Sequence, residues 1–143
     1  MSAEEIRALM HRFFDEWNKG KTAAMTAMDE CYATNVIVQS SSGAVYHGLK
    51  DYKQYLSELF NAFPDNHMTI DDMIVEGGKV VTRFTVTGTQ TGEYMGVPAS
   101  NKKFTTWEIT IDRIVDGKFV EEWSRRDNLS IMQQLGLIPT PKK

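Results

Sequence analysis

The chain has few of the residues that would make its chemistry obvious. One cysteine, Cys31, stands among 143 residues, so no intramolecular disulfide can form, and a cytoplasmic location is the simplest expectation. No apolar run approaches the roughly 18 residues that suggest a membrane span. Glu4, Glu5 and Arg7 interrupt the start before the apolar core of a signal peptide could form. Basic residues do not cluster and the formal charge is −3, which argues against a surface that tracks nucleic-acid phosphates. Only three histidines are present. No two have the i, i+4 spacing of helical ligands and the lone cysteine adds no partner, so no metal site is expected. A phosphate-cradling glycine loop is missing. Ser40-Ser41-Ser42-Gly43 also lacks the Gly-x-Ser-x-Gly elbow of a nucleophilic serine.

What is present is periodic. Ile6, Leu9, Met10, Phe13, Phe14 and Trp17 form one helical stripe, with Ser2 and Glu5 in capping-box spacing and Gly20 beyond the far end. A shorter helix is predicted from Thr22 to about Cys31, then a strand at Val36–Val38. A third helix follows His47-Gly48, from about Lys50 to Phe63, with Tyr52, Tyr55, Leu56, Leu59, Phe60 and Phe63 as its stripe. Pro64 ends it, because the residue before proline is pushed out of helical geometry.

From His67 the period changes to two. Met68, Ile70 and Ile74 share one parity, Gly77-Gly78 marks a hairpin, and Lys79–Gln90 reads as a strand rich in Val and Thr. A loop over Gly92–Asn101 leads to a strand at Phe104–Val115. Asp116-Gly117 then turns the chain into a last strand from Lys118 to Arg126. Strict alternation puts Phe119, Glu121, Trp123, Arg125 and Asp127 on one face of it. Leu129, Met132 and Leu135 have helical spacing, with Gly136 as a stop. Helices first and a meander of strands after argue for one α+β domain over residues 1–143, with helices packed on one face of a curved, mostly antiparallel sheet.

Four stretches in this order carry a family resemblance. They are Phe63-Pro64-Asp65; Thr87 through Pro98; Asp116-Gly117-Lys118; and Glu121-Glu122-Trp123 through Gln133-Gln134-Leu135-Gly136. Together they resemble the SnoaL-like polyketide cyclases, within the nuclear-transport-factor-2-like superfamily of cone-shaped α+β barrels. The resemblance implies ring closure by intramolecular aldol condensation without metal or organic cofactor, an apolar small-molecule ligand, and a homodimer. It also makes Asp127, in the strand-to-helix motif, the general base. A free aspartate, with a pKa of about 3.9, is a feeble base at neutral pH, so an apolar pocket would have to raise it. Arg125 on the same parity would work against that. Asp127 is equally placed to be a helix N-cap or to pair with Arg125 or Arg126.

Trp123, Trp17 and Tyr55 are candidate pocket walls, together with Phe13 and Trp107. His47, in a His-Gly pair that recurs in the family, is a candidate for the pocket mouth. Gln90 stands where many relatives carry histidine, and Thr110-Ile111-Asp112-Arg113 has no histidine where the family's cyclases place one. An acid–base pair therefore cannot be carried over whole. Three readings follow: a cofactor-independent cyclase or isomerase, an epoxide-hydrolase-like enzyme using Asp112, Arg113, Arg125 and Asp127, and a non-catalytic binding or dimerising scaffold.

Overall fold

A computed structural model describes residues 1–141. Helices α1 (Ala3–Trp17) and α2 (Lys21–Cys31) are followed by strands β1 (Tyr32–Gln39) and β2 (Val45–His47), then α3 (Leu49–Ala62). Strands β3 (His67–Glu76), β4 (Lys79–Thr89), β5 (Lys103–Val115) and β6 (Lys118–Arg126) form the meander, and α4 (Asn128–Gln134) closes the fold. All six strands make one sheet in the order β2-β1-β6-β5-β4-β3. Only β1 against β6 runs parallel; the other neighbours are antiparallel. The expected α+β cone is the observed fold. β2, a three-residue edge strand that pairs with Ile37–Gln39, falls in a stretch where the sequence suggests no strand.

The helices lie on one face because their apolar stripes have nowhere else to go. Every member of the α1 stripe is buried, and Ser2 and Glu5 make both bonds of the capping box, 3.1 Å each. Phe13 meets Tyr32 and Phe119, Phe14 meets Phe84 edge-on, and Trp17 packs on Phe60. Trp17 also donates its indole N–H to Asn66 Oδ1 at 2.6 Å, while Asn66 Nδ2 donates to the Phe63 carbonyl. The polar atoms of this buried corner thus have partners, which removes the cost of taking them out of water.

Two one-residue bulges reset which side chains face the helices. In β3, Ile70 pairs with Phe84 and Asp72 with Arg83, so Asp71 is extra. Beyond it Met73 and Val75 pack on the core, whereas Ile74 is 60% exposed. In β6, Phe119 pairs with Ile114 and Glu121 with Arg113, so Val120 is extra. A bulge shifts the parity of everything beyond it, because the side-chain period of a strand is two. The face predicted from alternation is therefore corrected: after Phe119 the inward residues are Glu122, Ser124 and Arg126. Glu121 instead pairs with Arg113 at 2.6 Å outside, and Arg125 and Asp127 are exposed.

The loop after β4 is fixed on the end of α3. Backbone N–H groups of Thr91 and Gly92 both donate to the Ala62 carbonyl. A Cβ on Gly92 would lie 2.5 Å from the Asn61 carbonyl oxygen, a backbone atom that cannot step aside alone. Gly92→Ala should therefore cost about 1–3 kcal/mol, read as a lower urea midpoint at unchanged slope.

Candidate functional site

The concave side of the sheet faces α1 and α3 across an internal cavity of about 80 Å³. Its helical wall is apolar and aromatic: Met10, Phe13, Phe14, Trp17, Tyr55, Leu56 and Leu59. Its sheet wall is not. Because of the bulge at Val120, β5 and β6 present three cross-strand pairs inward, Glu108 with Arg126, Thr110 with Ser124, and Asp112 with Glu122. The pairs form a polar stripe two strands wide, with the ion pair toward the open end and the carboxyl pair at the blind end.

The carboxyl pair is deeply buried, Asp112 at 2% exposure and Glu122 at 4%. Tyr32 donates its hydroxyl to Glu122 Oε1 at 2.6 Å and Tyr52 donates to Oε2 at 2.8 Å. Burial pushes the Asp112 carboxyl well above its usual range, and the charge beside it on Glu122 pushes the same way. Burial and Glu122 likewise hold both tyrosine hydroxyls protonated. Two carboxylates this close cannot both ionise in a low dielectric, so one proton is shared between them.

At the other end, Glu108 Oε2 accepts from Ser124 Oγ at 2.6 Å, and Ser41 lies 2.7 Å from the same Ser124 oxygen. Arg126 Nη1 stands 3.7 Å from Glu108 Oε1, with side-chain exposures of 10% and 14%. Burial raises the Glu108 pKa, and Arg126 and Ser124 oppose it without cancelling it. Burial also works to discharge Arg126, but Glu108 and the hydroxyls of Tyr55 and Tyr94 outweigh it and keep the guanidinium charged. Those two hydroxyls lie 3.3 Å apart. Arg126 Nε donates to Asn128 Oδ1 at 3.0 Å, and Asn128 Nδ2 donates to the Ser41 carbonyl at 2.7 Å. The start of α4 thereby holds the guanidinium in place.

Arg126 also borders a second space, an apolar vestibule of about 260 Å³ between α4 and the loop after β4. Leu59, Phe63 and Phe104 are common to both spaces, so Arg126 and these three form the neck between them. Tyr94, Met95, Val97, Ile131, Met132 and Leu135 line the vestibule.

Of the residues singled out from the sequence, Phe13, Trp17 and Tyr55 line the inner cavity. Gln90 borders the vestibule, but its amide is taken up by the Val97 and Pro98 carbonyls and the Ser100 N–H. It holds the loop rather than offering a free donor. Trp107, 54% exposed, and Trp123, with Lys79 over its ring, are on the outer face. His47 is exposed in the edge strand β2. Asp127 is exposed as well, and its Oδ1 accepts from the Ser130 N–H at 2.9 Å as the N-cap of α4. Neither space includes it. Asp112, Arg113, Arg125 and Asp127 are not brought together, since Arg113 is paired outside and Arg125 bonds the Ser124 carbonyl. Alternation alone could not have found Glu122 or Arg126, because the bulge that turns them inward carries no glycine or proline to mark it; Glu108 shares the parity of the buried Phe104 on β5, so its signal was there. Among the described residues, no group of three or more His, Cys, Asp or Glu side chains is arranged to hold a metal ion.

The shared proton has a consequence for stability. The folded chain keeps a proton on Asp112 that the unfolded chain loses above about pH 3.8. Its contribution is therefore greatest below that pH and declines as pH rises toward the folded pKa, by about 1.4 kcal/mol per pH unit for one proton. Asp112→Asn mimics the protonated acid. The difference between variant and wild-type unfolding free energies should grow in the variant's favour from pH 4 to 7; a constant difference would contradict the shared proton.

Among solved structures, TsrD from Streptomyces laurentii is 29% identical with a TM-score of 0.85, the match covering 96% of this chain and 99% of that one. AclR from Streptomyces galilaeus is 25% identical with a TM-score of 0.86, covering 99% and 87%. No curated protein matches the sequence. The model of the SnoaL-like polyketide cyclases matches residues 8–135, from within α1 to the end of α4, and the chain belongs to that family.

Proposed function

We propose that the protein is a cofactor-independent acid–base enzyme acting on an apolar, polyketide-like carbonyl compound, by aldol cyclisation or isomerisation, with Glu108 rather than Asp127 as the base. The observation that carries this is the neck of the cavity. There a carboxylate with a raised pKa faces a guanidinium, where an apolar vestibule opens onto a polar chamber. A base poised nearer neutrality takes a proton from carbon more readily than an ordinary carboxylate. Glu108 would remove a proton from the carbon next to the carbonyl, and the C–H electron pair becomes the enolate. Arg126, with the Tyr55 and Tyr94 hydroxyls, donates to the enolate oxygen. In a cyclisation the enolate carbon then bonds to a second carbonyl carbon of the same molecule, and the new alkoxide takes back the proton from Glu108.

2-Tetralone, which enolises and suits an apolar vestibule, is a direct probe. Wild-type protein should accelerate deuterium exchange at its α-carbon, and Glu108→Gln should lower that rate about 10²–10⁴-fold with the fold intact. Asp127→Asn, which keeps an N-cap acceptor, should leave the rate within about twofold. Loss in the Asp127 variant with retention in the Glu108 variant would reverse the assignment. No acceleration by the wild type would favour the second reading, binding without turnover. That reading is supported by the lack of any histidine among the residues lining the two spaces.

We also propose a homodimer through the outer sheet face, where Ile37, Trp107 and Ile111 are exposed and Trp123 lies beside Ile111. Sedimentation should give twice the chain mass for wild type and a monomer for Trp107→Glu; a monomeric wild type would exclude it.

A further inference from the structure

At the blind end of the inner chamber, among the described residues, one buried carboxyl oxygen lacks a donor. Both oxygens of Glu122 receive a proton from a tyrosine, Oε1 from Tyr32 and Oε2 from Tyr52. A carboxylate already accepting twice has no proton to give, so the proton shared across the pair sits on Asp112. Asp112 spends one oxygen on that bond and keeps the other as a carbonyl-type acceptor. Its Oδ1 is buried and meets no donor, and Thr82 Oγ1, diagonally across β4 and β5, is in the same condition. Buried polar atoms in folded proteins nearly always have partners. Here the partner has room to come from inside the cavity, which Asp112 lines and whose volume of about 80 Å³ exceeds the roughly 10–15 Å³ that one water needs.

Resting on the reading of this cavity as the ligand site, we propose that its blind end is a subsite for a neutral hydroxyl group, which donates to the free Asp112 oxygen. Water fills it in the unliganded protein, and the hydroxyl of a phenol or alcohol replaces that water on binding. The unpaired acceptor selects this group. A ketone or ether oxygen would bring only another acceptor and leave the free Asp112 oxygen without a proton. An ammonium group would leave water for walls formed by Phe13, Phe119 and Tyr32, and the one carboxylate there already accepts from two tyrosines, so the charge would enter without a carboxylate free to pair with it. Asp112 is four residues from Glu108 on β5, about 13 Å at strand spacing. A ligand reaching both therefore carries its hydroxyl at the end remote from the reacting carbonyl.

Phenol, anisole and toluene have similar shapes and differ in the group presented. Titrated into the full chain and followed by NMR, phenol should bind about tenfold or more tightly than the other two. Its ring protons should show contacts to the Tyr32 and Tyr52 rings. Asp112→Asn should keep the preference, since the amide donates to Glu122 and its carbonyl remains an acceptor. Asp112→Leu should abolish it. Equal affinity of the three probes for wild type, phenol contacts confined to Tyr55 and Tyr94 at the neck, or loss of preference in Asp112→Asn would each overturn the proposal. The wild-type and Asn results decide the matter even if the Leu variant does not fold. No readout needs turnover, so a failure of Glu108 as base would leave this test unaffected.

Discussion

One inserted residue, Val120, decides what lies inside this protein. Without the bulge, the hairpin at Asp116-Gly117 would carry Glu121, Trp123 and Arg125 toward the helices, and Glu122, Ser124 and Arg126 away from them. The extra residue exchanges the two sets. A tryptophan leaves the interior, and a carboxyl group, a hydroxyl and a guanidinium enter it. Each of the three meets a partner on β5 at the same level, because β5 keeps its alternation through Glu108, Thr110 and Asp112. The bulge is thus a condition of the polar stripe, and the stripe is what separates this cone from a filled hydrophobic core.

Burying three rungs of ionisable or hydroxyl-bearing side chains against phenylalanine is costly, and the two ends of the stripe meet that cost differently. At the neck, charge is kept: Arg126 stays a cation because Glu108, two tyrosine hydroxyls and Asn128 surround it. Burial raises the Glu108 pKa, and a guanidinium 3.7 Å away, longer than a tight ion pair, opposes that rise without cancelling it. At the blind end, charge is reduced: a proton on Asp112 leaves one negative charge instead of two, and Tyr32 and Tyr52 stabilise it on Glu122. The neck holds two opposite charges because each is the other's partner, whereas the blind end, with two carboxyl groups and no cation, tolerates only one charge and a proton.

Much of the fold was legible because it rests on periodicity and turn chemistry. The α1 stripe, the capping box, the Asp116-Gly117 hairpin and the stop before Pro64 are local signals, and each coincides with an observed element within a residue or two. The site was less legible, because its membership depends on parity, and parity is a running count that one silent insertion changes. The same failure occurs twice: Asp71 moves Ile74 outward as Val120 moves Trp123. Phe13, Trp17 and Tyr55 were readable as cavity lining because helices have no equivalent error. Trp107 was not, since its aromatic character suggested a wall although Phe104, of opposite parity on the same strand, is the buried one. Asp127 had three roles open to it in the sequence, base, cap or ion-pair partner, and the observed bond to Ser130 is that of the cap.

The distance between the two ends of the stripe constrains the chemistry. In an aldol closure the proton leaving the α-carbon and the oxygen that becomes an alkoxide belong to groups forming a single bond, so acid and base must serve points only a few ångströms apart. Glu108 and Asp112 are about 13 Å apart along β5, too far to act on such a pair. Both proton transfers of a ring closure would then fall to the neck, where Glu108 can return the proton it took and Arg126 can hold the developing charge. The carboxyl pair is left to determine which end of a ligand enters first. Under the proposed function, turnover and orientation would be separated along one strand.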